Sequence, residues 1–222
     1  MSRATYAELG DACATAHGME LIGARWTYPI LRELMLGPKR FGELLVTVRG
    51  ITPAVLTARL REMTTAGLIQ AVQPDEGYAL TEWATRLGPI LRDVGRWAQE
   101  SPVQQDAGGL TPDGAVQAMI TMARRDTTRA PGRLELHLHD DRVRADTVHA
   151  YRISWNRRGL SAARGPYPKA TAILHCDSTS WGRVLFANLP LEDSGAQMAG
   201  DLASVAGLLS CFETTVPAGA TS

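Results

Sequence analysis

Apolar residues recur at helical spacing through the first hundred positions of the chain. In residues 25–36 they stand three and four positions apart, which predicts a helix. Its regular part is expected to start near Thr27, because a proline such as Pro29 is tolerated only in a first turn. Gly37 and Pro38 end this helix, and residues 41–48 predict a short second helix with one apolar face.

A capped third helix and a hairpin come next. A turn at residues 49–51 leads to Thr52 and Pro53, a pair typical of an N-cap and the first helical position. The predicted helix, residues 53–66, carries one apolar stripe and stops at Gly67. Two short extended runs around a turn of Pro and Gly then predict a β-hairpin, at residues 68–72 and 78–80.

A further helix is expected to begin at Thr81, which caps it, and to be kinked or divided at Gly88 and Pro89. The order is therefore helix, short helix, tight turn, capped helix and hairpin. This is the order of elements in a winged helix-turn-helix domain.

The third helix offers a surface suited to DNA. Small and polar side chains lie opposite its apolar stripe, so the helix could enter a major groove, where Thr contacts base edges and Arg reads guanine or grips phosphate. The candidate reading residues are Thr52, Ala54, Thr57, Arg59 and Arg61. The candidate phosphate contacts are Lys39, Arg40 and Arg49. A helical core with a solvated charged face is the alternative interpretation.

Several separate sequence motifs follow one another along this half of the chain. They are CATAHGMELIG from Cys13, Arg25-Trp26, ILRELMLGPKRFGELL from Ile30, Gly50-Ile51-Thr52-Pro53, VLTARLREMTTAGLI from Val55 and Tyr78-Ala79-Leu80-Thr81. With these motifs the chain resembles the HxlR-type winged-helix regulators of bacteria over about residues 10–98. The resemblance implies a homodimeric, DNA-binding repressor or activator.

The resemblance also assigns roles along the chain. It places the recognition helix at residues 52–61 and the wing tip at residues 73–77, and it implies a dimer interface made by the N-terminal helix and the helix after the wing. Two positions depart from the family pattern. The wing tip carries Asp75 and Glu76 where a basic residue is expected, and Ala54 stands where a polar or basic side chain is common.

Cys13 stands where many members of this family have a cysteine, which in some of them senses oxidants or electrophiles. A sensor thiol needs thiolate character and solvent access. Its neighbours Asp11 and His17 form no evident cationic pocket. A small packed residue in the N-terminal helix is therefore the favoured interpretation, with a redox sensor as the alternative. Cys176 and Cys211 lie in apolar runs and are expected in the core.

A segment with several prolines and glycines, residues 101–114, separates the two halves and predicts a domain boundary near residue 105. The predicted domains are residues 1–104 and 105–222. The second is predicted to be α+β, as is the whole chain. Its expected helices are residues 111–125, 178–188 and 201–212, and its expected strands are residues 133–140, 150–156, 160–163 and 170–176.

The second half resembles the sterol carrier protein fold. The likeness rests on the last predicted strand, the helix of Trp181, the turn at residues 188–191 and the final helix. It implies an apolar pocket for lipids, sterols or other flat molecules, although residues 192–200 are short for a closing element of that pocket. The candidate pocket residues are Met119, Met122, Trp155, Trp181 and Phe186. Core packing is the alternative for each of them.

Composition and motifs bear on DNA binding, membrane location and enzyme activity. The 222 residues carry 23 basic and 23 acidic side chains, and this neutrality does not exclude a local DNA-binding surface. No apolar run of membrane length and no signal peptide are present, so a soluble, cytoplasmic protein is expected. No nucleophile elbow, phosphate-binding loop or other catalytic motif is found, so neither an enzyme nor a cofactor is predicted.

His137 and His139 alternate along one predicted strand, close to Asp140 and Asp141. They would permit a metal site, but no third ligand follows at a telling spacing. Solvent-facing histidines are the favoured interpretation, and no metal is predicted.

Together these patterns predict a ligand-responsive transcription regulator. It would bind operator DNA as a homodimer through the winged helix, and a small hydrophobic effector through the C-terminal domain. Two alternatives stay open at this point. One is a redox regulator that acts through Cys13, and the other is a lipid carrier or enzyme that uses the winged helix as an interaction module.

Overall fold

The computed structural model describes residues 5–72, 77–103, 108–124, 129–143 and 147–212. The chain forms two compact units, Met1–Ile90 and Leu91–Ser222. The division falls inside a helix. The predicted boundary near residue 105 lies outside the described residues and stays a prediction.

The described residues of the N-terminal unit form five helices, a hairpin and the start of a sixth helix. The helices are α1 (Ala14–Ile22), α2 (Thr27–Leu34), α3 (Phe41–Thr47), α4 (Pro53–Thr65), α5 (Glu82–Thr85) and α6 (Leu87–Gln99), and the hairpin strands are β1 (Ile69–Val72) and β2 (Gly77–Leu80). This order confirms the predicted winged helix-turn-helix arrangement.

Local signals in the sequence set the ends of these helices. Helix α4 starts at Pro53, because the Thr52 hydroxyl accepts a hydrogen bond from the Val55 N–H at 3.4 Å. Helix α5 starts after Thr81, whose hydroxyl accepts from the Ala84 N–H at 3.1 Å. Both caps lie where the sequence predicts them.

The core of this unit lies between α2, α3, α4 and the hairpin. Helix α4 contributes the predicted stripe, and its three members Leu56, Leu60 and Met63 are all buried. They pack in one cluster with Ile30, Leu31, Leu34, Leu44, Val48, Ile51, Leu68, Ile69 and Ala84. The cluster holds α4 by one side and leaves its other side free of core contacts.

The predicted helix after the hairpin is broken earlier than expected. Helix α5 ends at Thr85 and α6 begins at Leu87, so the break precedes Gly88 and Pro89. Pro89 then lies in the first turn of α6, where its missing N–H removes no helical hydrogen bond. The proline thus starts a new helix instead of kinking a longer one.

The C-terminal unit is a five-stranded sheet covered by helices. Its strand order is β5-β4-β3-β6-β7, with β3 and β6 parallel and the other neighbours antiparallel. The strands are β3 (Gly132–His139), β4 (His149–Asn156), β5 (Gly159–Arg164), β6 (Ala172–Asp177) and β7 (Gln197–Gly200), and the helices are α7 (Pro112–Met122), α8 (Ser178–Phe186) and α9 (Leu202–Leu209). The predicted α+β class is confirmed.

Alternate residues of the central strands face the helices. The buried set is Leu134, Leu136, Leu138, Tyr151, Ile153, Trp155, Ala172, Leu174 and Cys176. Helix α9 contacts β3 and β6, and α7 contacts β5 and α8. The opposite face of β3 carries Glu135, His137 and His139, which are only partly buried. We call this second side the outer sheet face.

Strand β7 occupies part of the segment that the sequence left without an element. Residues 191–194 form a 3-10 turn, and Gln197–Gly200 pairs antiparallel with β6 at the sheet edge. Four exposed residues, Gln-Met-Ala-Gly, carry no strand pattern, so only the unpaired edge of β6 determines their conformation. The resemblance to sterol carrier proteins stays a prediction.

A helix that spans a membrane must be long and mainly apolar. Over the part of the chain that the structure describes, no helix combines the length and apolar character needed to cross a bilayer.

Candidate nucleic-acid interface

Helix α4 exposes a row of small side chains. Thr52, Ala54, Thr57, Ala58 and Arg61 are exposed on the side away from the buried stripe. Small side chains allow a helix backbone to approach base edges closely. The structure therefore brings four of the five predicted reading residues onto one accessible surface, which we call the α4 face.

The polar groups of this surface are partly engaged. The Thr57 hydroxyl donates to the Pro53 carbonyl oxygen at 2.9 Å, which leaves its acceptor lone pairs and its methyl group to meet a base. Arg61 extends from the exposed side of the helix. Its guanidinium is therefore the predicted α4 group best able to form a bidentate contact with guanine.

Arg59, the fifth reading candidate, lies at the side of α4. Its side chain is 23% exposed, and its Nη1 pairs with Glu62 Oε2 at 2.6 Å. Its Nε is buried without a hydrogen-bond partner. The ion pair and the burial hold this guanidinium against the protein, so Arg59 is less available to DNA than Arg61.

Val55 was not predicted as a reading residue, although it is 41% exposed in the first turn of α4. Apolar side chains at such positions can contact the methyl group of thymine. Sequence reasoning missed Val55 because an apolar residue beside an apolar stripe is expected in the core. Its place three positions before the exposed Ala58, on the same side of the helix, was the signal that could have found it.

The three predicted phosphate contacts differ in accessibility. Arg40 and Arg49 are exposed at the start of α3 and in the turn before α4. Lys39 is only 3% exposed, and its Nζ lies 2.5 Å from Oε2 of Glu33, which is 0% exposed. Lys39 is therefore not part of the exposed surface, because its ammonium pairs with a carboxylate inside the domain. The interface is left with two predicted phosphate contacts.

The wing is joined to the helix-turn-helix by backbone hydrogen bonds. Lys39 N–H donates to the Tyr78 carbonyl at 3.0 Å, and Tyr78 N–H donates to the Lys39 carbonyl at 2.8 Å. Gly77 has φ +90°, and a Cβ there would lie 2.1 Å from the Lys39 carbonyl oxygen. Only glycine fits this crossing. Residues 73–76, with the predicted acidic wing tip at Asp75 and Glu76, lie outside the described residues.

Comparison with known proteins identifies this half of the chain. The family model described as HxlR-like helix-turn-helix matches residues 21–106. The HTH-type transcriptional regulator YkvN of Bacillus subtilis is 34% identical over 103 residues, which are 44% of this chain and 87% of YkvN. The chain belongs to the HxlR-like helix-turn-helix family. The predicted HxlR-type identity of the N-terminal region is thereby confirmed.

Two further relatives and one solved structure are similar to the same half of the chain. The HTH-type transcriptional regulator sll1512 of Synechocystis is 34% identical over 89 residues, which cover 38% of this chain and 66% of sll1512. YodB of Bacillus subtilis is 34% identical over 85 residues, which cover 36% of this chain and 76% of YodB. The solved structure of quinone-bound YodB superposes with a TM-score of 0.37 at 31% identity, covering 39% of this chain and 97% of that structure.

Cys13 of this HxlR-like chain is the N-cap residue of α1. It is exposed, so within the described chain it is not the packed residue that the sequence favours. Backbone hydrogen bonds from Ala16 and Thr15, in the first turn of α1, lower the pKa of its thiol. An accessible sulfur with greater thiolate character than an ordinary cysteine is the chemical requirement for a redox or electrophile sensor.

The predicted ligand pocket is largely filled by its own side chains. Met119 and Trp181 are 0% exposed, and Trp181 Nε1 lies 3.3 Å from Met119 Sδ as its donor. Trp155 is 3% exposed, and its ring lies so close to Gly132 that a Cβ there would be 2.2 Å away. The core interpretation therefore describes these three residues, because their side chains are almost completely enclosed by protein atoms.

The other two pocket candidates lie nearer the surface. Met122 is half-buried at the end of α7. Phe186 is 39% exposed and packs edge-to-face on Phe212, with ring centroids 5.9 Å apart. Phe212 also lines a mainly apolar cavity of about 270 Å³ between the ends of α8 and α9, together with Val184, Leu185, Asn188, Leu189, Pro190, Leu191 and Leu209. Its lining is chemically compatible with a small apolar molecule.

Proposed function

We propose that this protein is a bacterial transcription regulator that binds operator DNA as a homodimer, with α4 of each protomer in a major groove. The observation that carries the proposal is the α4 face, a row of exposed small side chains with Arg61 on a helix held by its opposite stripe. Membership of a family of HTH-type regulators supports it. Since bacterial operator DNA lies in the cytoplasm, the proposal places the protein there.

Exposed apolar helices support the homodimer. None of the residues of α6 is buried, yet the helix is amphipathic and exposes Ile90, Val94 and Trp97, the last by 75%. On and before α1, Tyr6, Leu9 and Met19 are also exposed. An amphipathic helix with an exposed apolar stripe gains stability when a partner covers it. We infer that a second copy does so, as the family resemblance implies.

The C-terminal unit is proposed to bind the effector. The cavity beside Phe212, at about 270 Å³, lies just below the roughly 300–1,000 Å³ that is typical of ligand pockets, so it would take only a small apolar ligand. Such a ligand changes operator affinity only if it binds the DNA-competent and DNA-incompetent dimers with different affinities. The effector proposal therefore requires a dimer with two arrangements of its reading helices.

Replacing Arg61 with Ala is expected to weaken operator binding by about 1–3 kcal/mol, or roughly 5–150-fold, because one bidentate base contact is lost. Arg59→Ala should have the smaller effect, because Glu62 already holds that guanidinium. The operator is first recovered by selecting genomic fragments with the full-length protein at near-physiological salt. Affinities for the recovered site are then measured by fluorescence anisotropy.

Arg183→Ala is the matched control for this series. Arg183 is an exposed arginine of α8, in the C-terminal unit, and its loss should leave operator affinity unchanged. Equal affinity of Arg61→Ala and the unchanged chain would contradict the assignment of the α4 face. Recovery of no fragment above background would contradict DNA binding itself. It would favour the carrier or enzyme alternative, in which the winged helix is an interaction module.

A redox regulator is the second candidate function, favoured by the exposed Cys13 thiol and its lowered pKa. YodB, one of the sequence relatives, is known in a quinone-bound form, which suggests the reagent. The thiol would add to a quinone ring carbon, forming a C–S bond, while the ring takes up the proton and electron pair as a hydroquinone. Cys13→Ser should then abolish any effect of a quinone on operator binding, and an unchanged response would exclude this mechanism.

The pH dependence of alkylation tests the thiol directly. In the native chain, reaction of Cys13 with iodoacetamide should rise at a lower pH than in the urea-unfolded chain, because the folded thiol has the lower pKa and becomes thiolate sooner. Burial raises the pKa of Cys176 to about 11 and raises that of Cys211 as well, so both should label only after unfolding. Peptide mass spectrometry reads all three sites. Equal midpoints for native and unfolded Cys13 would contradict the prediction.

A further inference from the structure

Three potential metal ligands converge at one end of the outer sheet face. His139 ends β3, Asp141 lies in the turn that follows, and Asp177 ends β6. Because β3 and β6 are parallel and their register pairs His139 with Asp177, these ends lie side by side. One donor atom from each of the three side chains lies within 4.8 Å of the others. We propose that this group binds a divalent first-row transition metal such as Zn²⁺.

The distances suit the ion. Zn²⁺ bonds of about 2.0–2.2 Å in a tetrahedron hold two ligand atoms about 3.3 Å apart. His139 Nε2 and Asp141 Oδ1 already lie 3.1 Å apart. The donor atom of Asp177 lies within 4.8 Å of the other two, so Asp177 would have to move closer by at most about 1.5 Å for all three side chains to reach one ion.

The donor chemistry selects the class of metal. One imidazole nitrogen with two carboxylate oxygens suits Zn²⁺ and its first-row neighbours, whereas Mg²⁺ and Ca²⁺ prefer oxygen ligands alone. The two carboxylates balance the charge of a divalent ion. His139 and Asp141 are 39% and 72% exposed, so water has access to the remaining coordination positions.

Neighbouring groups hold the ligands in place. Asp177 accepts hydrogen bonds from Thr179 N–H and Ser180 N–H at 2.9 Å and 2.8 Å, and from Asp141 N–H at 3.1 Å. The bond from the Asp141 N–H links the turn that carries the Asp141 carboxylate to the carboxylate of Asp177. The site is thus assembled from two strand ends and the N-terminal turn of α8 before an ion arrives.

The other acid and histidine considered from the sequence are engaged elsewhere. Asp140 accepts from Arg142 Nε and Nη2, both at 2.7 Å. His137 Nε2 lies 2.5 Å from Glu135 Oε1, and its ring contacts that of His175. The sequence therefore identified His139 and Asp141 among the possible ligands but not Asp177, which reaches them only through the parallel pairing of β3 and β6.

Calorimetric titration of the full-length, tag-free, chelator-treated protein with Zn²⁺ tests the proposal. We expect one ion per chain. His139→Ala and Asp141→Asn should each weaken binding by at least about tenfold, since even loss of an outer-shell partner costs roughly 10–100-fold. His175→Ala is the matched control, because His175 is an exposed histidine of the same sheet face outside the group, and it should keep the unchanged affinity. Asp177 is left intact because it also caps α8.

Co²⁺ absorption then distinguishes this site from a cysteine. Cobalt bound to one imidazole and two carboxylates should show ligand-field bands without a thiolate charge-transfer band, whereas binding at Cys13 would produce that band. Such a band would overturn the proposal. So would the absence of saturable Zn²⁺ uptake, or equal affinities of both ligand variants and the unchanged chain. These outcomes are independent of whether the protein binds DNA.

Discussion

Replacing Glu33 with Leu is expected to lower the free energy of unfolding of the N-terminal unit by about 3–5 kcal/mol. The Glu33 side chain is 0% exposed and that of Lys39 3%, and their charged atoms lie 2.5 Å apart. Leucine has a similar size, so the main effect is to remove the carboxylate that balances a buried ammonium. Hydrogen exchange of the core amides of α2 and α4, measured in the full-length chain by mass spectrometry, reports the loss.

The converse substitution separates charge balance from packing. Lys39→Met should cost less, because Arg32 Nη2 still pairs with Glu33 Oε1 at 3.0 Å. The double variant should recover most of the stability, since apolar side chains can replace a buried ion pair. Amides of β3 and β6 in the other unit serve as the internal control. A larger loss for Lys39→Met than for Glu33→Leu would contradict this account of the pair.

The same pair bears on DNA binding. If Lys39 is an internal partner of Glu33, Lys39→Met should leave the operator affinity of the folded protein unchanged, whereas a phosphate contact would be lost with its charge. Arg40→Ala is the informative comparison, because Arg40 is exposed at the start of α3. Its loss should weaken binding and reduce the salt dependence of the affinity.

Replacing Trp181 with Ala is expected to lower the free energy of unfolding of the C-terminal unit by about 3–5 kcal/mol, the usual cost of truncating a buried aromatic side chain. Trp181 is 0% exposed and packs on Met119 beneath the sheet. The cavity left behind is refilled only in part, because the structure around a truncated core side chain relaxes incompletely. Hydrogen exchange of β3 and β6 amides measures the loss, with α2 and α4 amides as the control.

Phe186→Ala is the matched variant. Phe186 lies on the same helix but is 39% exposed, so its truncation should cost clearly less than that of Trp181. The affinity for a ligand in the cavity beside Phe212 should fall more in Phe186→Ala than in Trp181→Ala, because Phe186 packs on Phe212. Equal losses of stability for the two variants would show that Trp181 does not act as a core residue.

The N-terminal unit was largely predictable because its signals are local. Thr52 and Pro53 are neighbours in sequence, and together they start α4. Leu56, Leu60 and Met63 repeat within that one helix, so their spacing alone predicts which side is buried and which side is exposed. The recognition helix and its exposed Thr57 and Arg61 follow from the same pattern.

The accessibility of single charged side chains was not predictable in this way. Lys39 and Arg40 are neighbours of similar chemistry, yet one is buried and the other exposed. The difference arises because the carboxylate of Glu33, on the preceding helix α2, is buried and pairs with the ammonium group of Lys39. This pairing keeps Lys39 inside the domain. A partner of this kind is visible only when the helices are packed.

The C-terminal unit depended more on contacts between distant segments. Alternation predicted β3 and β4, and the sequence also indicated β5 and β6, but β7 has no strand pattern and forms because β6 offers a free edge. The candidate pocket residues were chosen by residue type, and residue type cannot tell a cavity wall from a packed core. The tight approach of Trp155 to Gly132 decides that question for one of them.

The sequence by itself determined the HxlR-like identity, the order of elements and the exposed side of α4, since each depends on motifs or periodicity within a short segment. The tertiary structure alone decided that Lys39 is buried, that Cys13 is exposed and that Asp177 lies beside His139 and Asp141. The physical reason is common to the three. Burial and proximity depend on which segments pack together, and residues far apart in the chain are brought into contact only by the fold.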